Sequence, residues 1–150
     1  TVHSYFGLRN VTISGEKVLI NGKSVFQRLV LDQGFYPDGI YTASTDEALE
    51  NDVKLSMAAG FNGARLHEKV FEPRFLYHCD RLGYLVWGEQ GNWGMDPSAP
   101  DGLKNFLPEW MEAVERDFNH RRSSAGARLT RHGIMKGASR MTTFWQLSIG

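Results

Sequence analysis

Side chains able to exchange protons or form several hydrogen bonds recur at three matching places in this sequence: Asp32-Gln33, His67-Glu68 and Glu89. Each follows a short apolar run: Gln27 to Leu31, Phe61 to Leu66, and Tyr84 to Trp87. Carboxylates accept hydrogen bonds and protons, imidazole can donate or accept, and a carboxamide does both. Taken singly, each residue reads more readily as a solvated loop position. Three in equivalent places point to one site. Phe35, Tyr36 and Trp93 lie in the same loops. His67, Glu68 and Glu89 could together bind a metal, but the chain has no HExxH or comparable ligand spacing, so neither metal nor cofactor is expected.

The surrounding segments must position these groups. Val11-Thr12-Ile13, Lys17 to Ile20 and Ser24-Val25-Phe26 read as short strands, with turns at Gly15-Glu16 and at Asn21-Gly22, the latter a strong hairpin signal. Ser44 to Glu47 opens a helix with capping-box spacing between Ser44 and Glu47, and Leu49, Val53 and Met57 form its apolar stripe. Gly60 ends it. Pro73 starts a second helix with Phe75, Leu76, Cys79 and Leu82 inward, and Gly83 stops it. A loop from Gln90 to Gly102 precedes a third helix, with Leu107, Trp110, Met111, Val114 and Phe118 on one face.

The order is a hairpin followed by strand–helix three times, which implies parallel βαβ units. Helix-to-strand links are very short, while strand-to-helix links are long, polar and aromatic. That asymmetry predicts the start of a (β/α)8 TIM barrel, an α/β fold whose site is built from the loops after the strands. An open doubly wound sheet is the rival, disfavoured because no glycine-rich phosphate loop follows the first strand.

Composition narrows the function. A chain of 150 residues, 41% hydrophobic and 23% charged, is ordinary for one globular domain. The 17 basic and 17 acidic side chains cancel, so no net field steers it to nucleic acid or an anionic membrane. No apolar run approaches the ~20 residues of a membrane helix. The single Cys79 excludes an internal disulfide and reads as a small buried apolar residue.

Three runs then resemble a known family: Phe61 to His67, Cys79 to Glu89, and Arg116-Asp117-Phe118-Asn119-His120. In order and spacing they are similar to glycoside hydrolase family 2, the β-galactosidase and β-glucuronidase group, over about residues 5–120. The resemblance implies that residues 1–10 end a linker from a preceding β-sandwich domain and that 11–120 form the N-terminal part of a catalytic barrel. The sandwich and the remaining barrel half would belong to the parent chain. It also implies a carbohydrate substrate with a terminal β-linked sugar and retaining hydrolysis, in which two carboxyl groups roughly 5–5.5 Å apart act as acid/base and nucleophile. Asp32, Gln33, His67, Glu89 and Trp93 would then bind substrate, and the loop aromatics could stack on sugar faces or simply cap the loops by packing. Gln33 stands where many members have His. Neither catalytic Glu has a counterpart here.

The family continues Asn-His with Pro-Ser, an apolar fourth strand and an Asn-Glu pair that holds the acid/base. This chain continues Arg121-Arg122-Ser123-Ser124-Ala125-Gly126-Ala127-Arg128-Leu129-Thr130-Arg131, with no apolar period. Loss of one C after the His120 codon accounts for the break. Restoring it lets residues 121 to 131 decode as Pro-Ser-Ile-Ile-Gly-Trp-Cys-Pro-Phe-Asn-Glu. Residues 121–150 are therefore expected to be an out-of-frame tail, with the acid/base Glu beneath Arg131; a real, divergent C-terminal tail is the rival. The chain as written would be inactive, and poorly soluble or molten if expressed alone. A non-catalytic carbohydrate-binding barrel fragment, or a non-functional frameshift product, are the alternatives.

Overall fold

The computed structural model describes residues 1–96 and 99–120, and the backbone of 123–124. The out-of-frame tail expected over 121–150 otherwise lies outside the described residues. The elements run β1 (Val11–Ser14), β2 (Lys17–Ile20), β3 (Lys23–Ser24), β4 (Leu29–Asp32), α1 (Asp46–Ala58), β5 (Gly63–Leu66), α2 (Pro73–Leu82), β6 (Leu85–Trp87), α3 (Pro100–Asp117) and β7 (Ser123–Ser124).

β1, β2 and β3 form an antiparallel sheet. Asn21 and Gly22 turn between β2 and β3 with φ of 51° and 75°, the left-handed pair that a two-residue turn requires. The third strand expected over Ser24 to Phe26 is shorter. Its ladder ends at Ser24 with one further bond from the Val25 N–H to the Val18 carbonyl at 3.1 Å, and Phe26 is exposed. The carboxamide of Asn62 explains the departure: its Nδ2 donates to the Phe26 carbonyl at 2.8 Å and its Oδ1 accepts the Arg28 N–H at 2.7 Å. These bonds draw the chain towards the second sheet.

That second sheet is parallel, in the order β4-β5-β6-β7. Its register places Val30, Ala64 and Val86 side by side, with Asp32 beside Leu66. Ala64, Leu66 and Val86 join Leu49 and Val53 of α1 and Phe75, Leu76 and Cys79 of α2 in one buried cluster that includes Phe71 and Tyr84. Both helices therefore pack on one face of the sheet. Alternation along a strand sends the intervening residues to the opposite face. There Leu29, Gly63 and Leu85 make one row, and Leu31, Arg65 and Trp87 the next. Gly63 has no room for a side chain, because an added Cβ would run into Leu29 and Leu85.

The helix termini follow local chemistry with two corrections. The α1 N-cap is Thr45, whose hydroxyl accepts the Ala48 N–H at 3.2 Å; it lies one residue past Ser44, the position that capping-box spacing suggested. Thr45, at φ −143°, has the extended backbone that brings a cap side chain over the first turn. At the other end Gly60, at φ 93°, lets Phe61 N–H reach the Ser56 carbonyl. Gly83 closes α2 in the same left-handed conformation. α3 begins at Pro100, inside the loop expected to reach Gly102, since proline fits the first helical turn. Its apolar stripe is not buried: Met111 and Phe118 are 61% and 72% exposed. Met57 of α1 is also exposed. Periodicity marks a face that can be buried, but burial needs a covering element, and α3 adds nothing to the core cluster among the described residues.

Candidate functional site

The sheet pleat and the parallel register build the site. One step beyond Leu31 and Arg65 on the open face come Gln33 and His67, and Glu89 follows Trp87 by two residues. Gln33 Nε2 lies 3.1 Å from His67 Nδ1, tying the first two strand ends together on an accessible surface. Glu89 is fully buried, with both carboxylate oxygens held by Arg65: Nε contacts Oε1, and Nη2 donates to Oε2 at 3.1 Å. The fork geometry suits a carboxylate, and the guanidinium compensates a charge that burial would otherwise penalise heavily. The Glu68 N–H also points at Glu89 Oε2, 3.4 Å away.

Glu68 occupies a left-handed backbone conformation, φ 56°, unusual for a residue with a side chain. Its Oε2 accepts the Asn92 N–H at 2.7 Å, joining the loop after β5 to the loop after β6. Glu68 is a candidate from sequence, but its left-handed backbone, which lets it link two loops, carries no sequence signal. One ligand atom each from His67, Glu68 and Glu89 lie within 4.8 Å of one another. These are the same three residues that the sequence offers as a possible metal set, brought together here from two different strand ends. Arg65 already supplies Glu89 with positive charge, so an added cation would face a guanidinium.

Asp32 sits differently. Beside Leu66 in register, it belongs to the helix-facing side of the sheet. Its Oδ1 accepts the Gly34 N–H at 2.8 Å and so turns the chain after β4. Burial raises its carboxyl pKa, with the Gly34 bond opposing the shift. Trp93 lies on the loop after β6 and is 69% exposed.

The loop after β4 is anchored from beneath. Lys69 is buried, and its ammonium donates to the Gly34 carbonyl at 2.9 Å and the Tyr41 carbonyl at 2.6 Å. The same nitrogen lies 4.8 Å from the ring centres of both Tyr41 and Phe71. Desolvation lowers the Lys69 pKa, partly offset by Glu72 and Asp32. Tyr36 donates its hydroxyl to Asp52 of α1 at 2.8 Å, and its backbone pairs with Ile40 in both directions. Burial and Asp52 raise the Tyr36 pKa, so this hydroxyl stays protonated. Burial likewise raises the Cys79 thiol, in keeping with a packing role.

A parallel sheet with helices on one face and polar groups gathered past its strand ends is a mixed α/β arrangement. No family model matches the chain. It is 31% identical over 121 residues to a β-galactosidase of Alteromonas mediterranea and 29% identical to one of Pectobacterium atrosepticum, covering 76% of this chain in each case. The chain spans 12% of the length of these curated relatives. Among solved structures, a glycosyl hydrolase family 2 member from Bacteroides cellulosilyticus matches 86% of this chain and 18% of its own, at 27% identity and TM-score 0.68. A β-glucuronidase from Ruminococcus gnavus matches 85% of this chain and 23% of its own, at 21% identity and TM-score 0.73, which supports the fold alone. The resemblance carried by the three sequence runs is thus shown: the chain is a segment of the glycoside hydrolase family 2 kind.

Proposed function

We propose that this chain is the opening part of a (β/α)8 catalytic barrel in a retaining glycoside hydrolase acting on terminal β-linked sugars. The observation that carries the proposal is the convergence, past parallel strand ends, of the Gln33–His67 couple and the Arg65–Glu89 pair, joined through Glu68. His67 and Gln33 supply exposed hydrogen-bonding groups for sugar hydroxyls. Glu89, fully engaged by Arg65, holds the strand ends in place and orders the Glu68 turn. Trp93 offers a ring for stacking, and Asp32 shapes the loop that carries Gln33.

On this proposal residues 121–150 are read out of frame, both catalytic carboxylates lie outside the sequence as written, and the chain has no turnover of its own. The β6–β7 pairing supports it. Ser123 and Ser124 stand opposite Val86 and Trp87, and restoring one base turns their codons to Ile-Ile, the apolar residues that a buried parallel strand favours. Residues 1–10 end a linker from a β-sandwich domain of the parent protein.

The test is to resequence the source DNA across the codons for Asn119 to Gly133, then assay the resulting full reading frame on aryl β-galactosides and β-glucuronides. An additional C after the His120 codon and turnover of a β-glycoside are expected. An unchanged DNA sequence would overturn the frame proposal. A restored frame without turnover would overturn the hydrolase reading and favour a carbohydrate-binding barrel.

A further inference from the structure

The loop between β4 and α1 carries two exposed rings on a preformed base. Phe35 and Tyr41 are 60% and 48% exposed, and their ring centres lie 5.0 Å apart at an interplanar angle of 75°. Exposed apolar rings on a loop ordinarily lose surface by folding inward. Here the backbone prevents that. Gly34 and Tyr41, flanking the loop, both give their carbonyls to the Lys69 ammonium. Tyr36 points the other way, to Asp52, and its backbone pairing with Ile40 closes the tip. Ile40 itself takes φ 55°, a conformation that costs energy in a residue with a branched side chain. Tyr41 has the Lys69 ammonium by its ring, which leaves Phe35 as the more open of the two. Gln33, paired to His67, lies two residues before Phe35 in the chain.

We propose that Phe35, buttressed by Tyr41 and fixed by the Lys69 clamp, is a stacking platform for a flat, C–H-rich six-membered ring whose polar edge is met by Gln33, two residues earlier in the chain, and its partner His67. Aromatic surface next to amide and imidazole groups suits a ligand with an apolar face and a polar edge. Two sources share that chemistry: the face of a pyranose, and the aryl group of a glycoside. The choice of a carbohydrate ligand rests on the proposed function; the clamp does not.

Binding to the chain is measured by saturation-transfer NMR with methyl and phenyl β-D-galactopyranoside and methyl and phenyl β-D-glucopyranosiduronic acid. Phe35→Ala changes a side chain that is mostly exposed, so it reports without disturbing the core. It is expected to weaken binding by about fivefold to tenfold, the scale of one stacked ring. Equal loss for methyl and phenyl glycosides assigns the platform to the sugar face, and loss for the phenyl compounds alone assigns it to the aryl group. Lys69→Met keeps the length of the stem but removes the donors. It is expected to accelerate chymotryptic cleavage after Phe35 or Tyr41 by at least about tenfold, since the loop would open without the whole chain unfolding. No binding by the unsubstituted chain, or binding unaffected by Phe35→Ala, overturns the platform. Cleavage of Lys69→Met at the unsubstituted rate overturns the clamp. Binding kept in Phe35→Ala but lost in His67→Ala would overturn the platform while leaving the sugar-site proposal standing.

Discussion

Replacement of Gly34 by alanine tests how tightly the loop after β4 is built onto its base. Gly34 has φ +62°, and a Cβ placed there would lie 2.7 Å from Lys69 Nζ and 2.9 Å from Phe71 Cζ. Two costs add. The left-handed backbone penalises any side chain by about 1–2 kcal/mol. The clash adds an overpacking cost of about 1–3 kcal/mol, because the Phe71 ring is held in the core and the Lys69 ammonium is held by two carbonyls. A total near 2–5 kcal/mol follows. Gly60→Ala is the internal control: Gly60 has φ +93°, and nothing lies within 4 Å of its added Cβ. It should show the backbone cost alone, about 1–2 kcal/mol. Urea unfolding followed by far-ultraviolet circular dichroism gives both values, and their difference isolates the clash. Equal destabilisation by the two substitutions would refute the packing of Lys69 and Phe71 against Gly34.

Three further outcomes follow from the same structure. Thr45→Ala should cost about 1 kcal/mol in urea unfolding, whereas Ser44→Ala should stay within about 0.5 kcal/mol; the reverse order would restore Ser44 as the cap of α1. Arg65→Met should destabilise by about 3–5 kcal/mol because it strands the fully buried Glu89 carboxylate. Adding Glu89→Gln to Arg65→Met should recover part of that loss, and full additivity of the two substitutions would argue against the charge pairing. Asp32 has a raised carboxyl pKa, so its contribution to stability is fully present below the unfolded value and is lost as pH rises through the folded one. Asp32→Asn keeps an acceptor for Gly34 and removes the charge, so its stability relative to the parent should improve between pH 3 and pH 7; a flat difference in urea midpoints would show that burial does not govern this carboxyl.

The local signals that survived folding are those with a local cause. Asn21-Gly22 turned because both residues tolerate positive φ, and Gly60 and Gly83 ended helices for the same reason. Pro73 and Pro100 each sit in a first helical turn, where the missing N–H has no partner to lose. The stripe of α2 became core because β5, β6 and α1 cover it. The equally periodic stripe of α3 did not, because burial depends on a second surface that the pattern cannot specify.

The sequence by itself determined the alternation of strands and helices, the likeness to glycoside hydrolase family 2, and the placing of polar groups just past strand ends. Tertiary structure decided which of those groups share a face. A strand offers a side chain one of two directions, and the parallel register turned Arg65 and His67 to the open side while Asp32, one residue out of step, went to the helix side. The same register brought Arg65 within reach of Glu89, 24 residues away in the chain. It also made Lys69, an unremarked charge in the sequence, the anchor of a loop whose contacts lie 28 and 35 residues distant. Such pairings depend on distance in space, and no spacing along the chain encodes them.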